Sequence, residues 1–135
     1  MRRLAALCAC LSAGPALAQM PVPPSAPVGV AATVPAWQEA FRVAVAACWN
    51  TGALSPAARA ARVIVAVRFD ADARPEADSI ALVSVEGGAS AAGRELYETA
   101  RRALIRCAGT GYPLPPEARA DWQRMELTFD PAVLR

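Results

Sequence analysis

Apolar residues recur at helical spacing in two separate stretches of this chain. Trp37, Phe41, Ala44, Val45 and Cys48 fall at i, i+4, i+7, i+8 and i+11. Leu96, Ala100, Ala103, Leu104 and Cys107 repeat those intervals. Each set draws one apolar stripe along a helix, and each stripe ends in a cysteine. Between the two, the period changes. Val63, Val65, Val67 and Phe69 alternate with Ile64, Ala66 and Arg68, which predicts a strand with one richly apolar face. A second strand, with weaker alternation, is predicted around Ser79 to Val85. A third is predicted where Met125, Leu127 and Phe129 alternate with Glu126, Thr128 and Asp130, and Pro131 stops it. The order is helix, strand, strand, helix, strand. That is an α+β class in which two main helices cover one face of a three-stranded sheet.

Breaker residues set the expected boundaries. The first helix is predicted to start near Thr33-Val34-Pro35, with proline in its first turn. It is expected to end near Asn50-Thr51-Gly52, with Gly52 as a left-handed cap. Ser55-Pro56 suggests a short helical turn in the connector. Asp70-Ala71-Asp72-Ala73-Arg74-Pro75 reads as a turn. Ser90 is expected to cap the second helix, and Gly93 weakens that helix's first turn. Residues 109–116 read as a loop, and 117–122 as a helical turn presenting Trp122. If the first two strands form a hairpin, helices joined to them by short turns would put the two cysteines far apart. The connector 50–61 is long enough to recross the sheet, so the first helix is not expected to fold back tightly along the first strand.

The first 18 residues stand outside this pattern. Arg2 and Arg3 precede a short apolar run, Gly14-Pro15 breaks it, and Ala16-Leu17-Ala18 before Gln19 forms an A-x-A cleavage site. The run is shorter than the roughly 20 residues that span a bilayer. Export with cleavage between Ala18 and Gln19 is expected, leaving no stable membrane anchor and a periplasmic location. Leu7-Cys8-Ala9-Cys10 offers a looser rival, a lipoprotein box with Cys10 as the lipidated residue. Residues 19–34, rich in proline, read as a flexible linker. Residues 35–135 form the predicted domain.

Cleavage changes the composition of what remains. All 14 basic residues of the chain are arginine, against 12 acidic ones. Removing Arg2 and Arg3 leaves a near-neutral domain without a basic block, so nucleic-acid binding is not expected. Only Cys48 and Cys107 survive, and an even pair in an exported chain reads as a disulfide. Two buried free thiols are the alternative. A catalytic dithiol lacks a C-x-x-C spacing and a neighbouring lysine or histidine to depress a thiol pKa.

Enzymatic chemistry finds little footing. Histidine is absent, which excludes Ser–His and Cys–His nucleophiles. Asp70, Asp72 and Asp78 cluster in a turn rather than facing each other across an evident cleft. Metal-ligand spacing and a phosphate loop are both missing, so neither a metal nor another cofactor is expected. An enzyme built on Asp or Glu is the remaining catalytic reading.

Cys48-Trp49-Asn50, Arg106-Cys107, Tyr112-Pro113-Leu114-Pro115, Trp122 and Leu127-Thr128-Phe129-Asp130-Pro131, in this order, resemble the C-terminal periplasmic domain of TolA, of the alphaproteobacterial type, within the wider TonB/TolA C-terminal fold. The resemblance covers roughly residues 35–135. It implies a three-stranded antiparallel sheet with helices packed on it, no catalytic residues, and a role in protein–protein binding. TolB and Pal, in cell-envelope maintenance, are the partners it implies. The chain differs from TolA in having a cleavable signal and a short linker in place of a membrane anchor and helical spacer. That difference separates it from energy transduction. An autonomous envelope structural or inhibitor-like protein with the same fold is the alternative function.

Three surfaces are candidates for partner contact. The last strand, with Arg124, Glu126, Thr128 and Asp130, can be an edge that recruits an extended peptide, or an edge that its charges merely guard. The segment Tyr112, Pro113, Leu114 and Pro115 is either a rigid loop or a contact surface with little entropy to lose. Arg94, Arg101, Arg102 and Arg106 along the second helix form either a solvated face, with Glu95 and Glu98 as pairing acids, or a seat for an acidic peptide.

Overall fold

The central strand, β1 (Arg62–Arg68), carries Val63, Val65 and Val67, all at most 1% exposed, on one face. A computed structural model, describing residues 34–133, places two antiparallel neighbours beside it in the order β2-β1-β3, with β2 spanning Ala81–Glu86 and β3 spanning Arg124–Phe129. The protein is therefore α+β with a three-stranded antiparallel sheet, as the alternation implied. The expected signal peptide and cleavage site, Cys8, Cys10 and nearly all of the expected linker lie outside the described residues. The β1–β3 register is continuous from Val63↔Phe129 to Arg68↔Arg124. The β1–β2 register slips between Ile64 and Val65, which leaves Val83 as the extra residue of a bulge. That bulge accounts for the weak alternation of β2.

Four helices accompany the sheet. α1 (Ala36–Cys48) and α3 (Ser90–Arg106) bury the predicted stripes: Phe41 and Val45 from the first, Leu96, Ala100, Ala103 and Leu104 from the second. Cys48 and Cys107 lie at disulfide-bonding distance, their Cα atoms 5.7 Å apart. The connector between α1 and β1 does the recrossing, and holds α2 (Pro56–Ala60), whose first turn is capped by Ser55 Oγ accepting from the Ala58 amide. α4 (Arg119–Trp122) follows a 3-10 turn at Pro116–Ala118.

Several boundaries differ from expectation. α1 ends at Cys48 because Trp49 turns to an extended conformation; Gly52 is not among the glycines with positive φ and so is not a left-handed cap. Ser90 is the first helical residue, and Ala89 holds the N-cap position without a side-chain bond. Trp122 is 1% exposed and donates its Nε1–H to the Pro115 carbonyl at 2.7 Å. The short helix thus presents Trp122 to the core.

Candidate functional site: the free edge of β3

The phase of the β1–β3 ladder decides what β3 offers to a partner. Phe69 N–H donates to the Gln123 carbonyl at 2.9 Å, in the same register as the rest of the ladder. In an antiparallel pair the residues that exchange hydrogen bonds alternate with those that do not. The Gln123 carbonyl and the backbone groups of Met125, Leu127 and Phe129 therefore point at β1, while the Gln123 amide donates to the Arg119 carbonyl at 2.8 Å. Arg124, Glu126 and Thr128 direct theirs away from it. These three residues are exposed, and their amides find no acceptor among the described residues. The alternation seen in the sequence thus becomes a row of free donors and acceptors along one edge.

The same alternation sends the side chains of Met125, Leu127 and Phe129 to the helix side of the sheet. α1 stands off from this edge far enough to leave an open groove of ≈ 690 Å³. Trp37, Phe41 and Val45 of α1, with Trp49 just beyond it, form one wall, and Met125 and Leu127, both half-buried, line its floor. The wall is anchored in the core by aromatic contacts and a hydrogen bond. Phe41 meets Tyr112 and Phe69 edge-on, with ring centroids at 4.9 and 5.7 Å. Trp49 packs edge-on against Phe129 at 5.1 Å and donates its Nε1–H to Thr99 Oγ1 at 3.1 Å. Stacking of this kind adds about 0.5–1.5 kcal/mol per pair beyond area burial.

The electrostatics of the groove are uneven. Arg42 bonds Glu39 through two hydrogen bonds, and its guanidinium holds the Glu39 carboxyl below the usual range. Arg62 pairs with Glu86 across the β1–β2 ladder. By contrast, Asp121, Arg124, Glu126 and Asp130, all lining the groove, make no ion pair among the described residues. Asp130 accepts from the Ala132 amide at 2.9 Å and shapes the turn after β3.

The other predicted surfaces fall elsewhere. Tyr112 and Leu114 are 5% and 7% exposed. The Tyr112 hydroxyl donates to the Leu104 carbonyl, and burial pushes its pKa up. Their side chains belong to the core; of the four residues 112–115, Pro113 is exposed and Pro115 partly so. On α3, the expected pairing of Glu95 and Glu98 with arginine is absent among the described residues. Glu95 instead accepts from the Ser55 amide and hydroxyl, each at 2.7 Å. Arg101 reaches the Ala77 carbonyl at 3.4 Å, while Arg94, Arg102 and Arg106 are exposed.

The sequence pointed to the strand and missed the groove. Its wall residues were legible as a core stripe, but their separation from β3 is a long-range property of helix placement. No family model, curated protein or solved structure matches this chain.

Proposed function

We propose that this is a non-catalytic protein-binding domain of the TolA C-terminal type, which captures an extended segment of a partner at the free edge of β3. The observation that carries the reading is the coincidence of outward backbone groups at Arg124, Glu126 and Thr128 with an apolar groove beside the same strand. Strand addition needs both: backbone bonds supply affinity, and a pocket for alternate side chains supplies selectivity. The cleavage pattern at Ala18-Gln19 and the cysteine pair support an exported, periplasmic setting. TolB and Pal are the candidate partners because the order of motifs from Cys48 to Pro131 resembles TolA.

A pull-down with the purified protein tests this reading. Retention of TolB or Pal, with direct binding reproduced from purified components, is the expected result. Failure of a folded protein to bind either one contradicts the Tol–Pal assignment.

A further inference from the structure

Resting on strand addition at β3, we infer that the segment it accepts is an antiparallel, amphipathic strand that places a basic residue opposite Glu126 and an acidic residue opposite Arg124. The inner neighbours of these charges require that order. Across the β1–β3 ladder Glu126 faces Ala66, which offers no counter-charge. Arg124 faces Arg68, a like charge already committed to Glu76 at 3.0 Å. Both groups are exposed, and neither forms an ion pair among the described residues. The position on the outer side of each is the next place in the sheet from which compensation can come. Directly opposed charges of opposite sign stabilise a strand pair, and like charges destabilise it.

The pleat fixes the rest of the pattern. In an antiparallel pair, opposed side chains share a face. Residues opposite Glu126 and Arg124 therefore stand on the open face of the sheet. Those opposite Met125 and Leu127 project into the groove against Trp37 and must be apolar. Antiparallel addition extends the pairing that already joins β1 to β3, and it is the more stable ladder per residue. Read from its N-terminus, the segment is apolar, basic, apolar, acidic.

Two synthetic peptides of identical composition and net charge isolate this claim. One is Ser-Val-Thr-Leu-Lys-Leu-Glu-Ser, and the other exchanges its lysine and glutamate. Affinity is measured by fluorescence anisotropy, and hydrogen exchange follows the amides of Glu126 and Thr128. The first peptide should bind about five- to tenfold more tightly at low salt, since two cross-strand pairs change sign between the peptides, and the preference should shrink as salt is added. Both amides should become protected. The double substitution Arg124→Glu with Glu126→Arg should invert the preference. Equal affinities with protected amides overturn the charge register and leave strand addition standing. Absence of protection with either peptide overturns both. Protection without peptide also overturns the inference: if it grows with protein concentration the occupant is a second copy of the chain, and if it does not the occupant is the chain itself.

Discussion

A Cβ built on Gly93 would stand 2.3 Å from Val85 Cγ2 and 2.9 Å from Val85 Cβ. The first turn of α3 thus rests directly on β2, and glycine is what permits the approach. Two effects oppose each other in Gly93→Ala. Alanine favours a helix interior by about 1 kcal/mol over glycine, while overpacking costs about 1–3 kcal/mol. Val85 Cβ is fixed to its backbone and cannot rotate away, so the clash should win. Urea unfolding is expected to show a net loss of about 1–2 kcal/mol. A gain in stability would mean that the helix shifts freely off the strand.

The cysteine pair joins the C-terminal ends of α1 and α3 across 59 residues of sequence. A loop of that size is worth about 4 kcal/mol in the chain-entropy model, a large share of a small domain's net stability. Peptide mapping without reduction should recover Cys48 and Cys107 in one linked fragment. Cys48→Ser should lower stability by about 2–4 kcal/mol. Both cysteines taking up a thiol label in the denatured protein would contradict the bond.

Glu95 gives a pH dependence with a definite sign. The Ser55 amide, and then its hydroxyl, hold the Glu95 carboxyl below its ordinary value of 4.5. A carboxylate whose folded pKa is depressed contributes stability that is fully present above the unfolded value. That contribution fades as pH falls from about 4.5 through the folded value. Glu95→Gln should therefore be less stable than the parent at pH 7, and the difference should narrow below pH 4.5. A constant difference down to pH 2 would show that the Ser55 bonds do not depend on the charge.

The proposed export would leave its own mark on the chain. N-terminal sequencing of secreted material is expected to begin at Gln19, cyclised or not, without lipid. An acylated Cys10, or an intact Met1 in the membrane fraction, would overturn the periplasmic assignment.

Periodic segments carried most of the legible information. Val63 to Phe69 alternates strictly and forms the central strand, and the two stripes from Trp37 and Leu96 form the two long helices. Irregular segments hid their burial. Tyr112, Leu114 and Trp122 lie where no period distinguishes inside from outside, yet each is at most 7% exposed. Gly93 looked like a weakness in a helix because its reason, Val85, comes from a strand packed against it. The edge position of β3 was legible only as a possibility of composition. Its hydrogen-bond phase needed the Phe69–Gln123 bond, and the groove needed the placement of α1.

The most direct test of the proposed binding site is the affinity of the retained partner for Thr128→Pro. The Thr128 amide points away from β1, so proline removes a donor from the free edge and none from the sheet. Circular dichroism and the melting temperature should stay close to the parent, and Glu126→Ala, which alters only an exposed charge, should cost the fold under about 0.5 kcal/mol. Against that folded background, Thr128→Pro is expected to weaken capture at least tenfold, through the lost backbone bond and the steric block to an added strand. Unchanged affinity in a folded Thr128→Pro protein would contradict partner capture at the β3 edge.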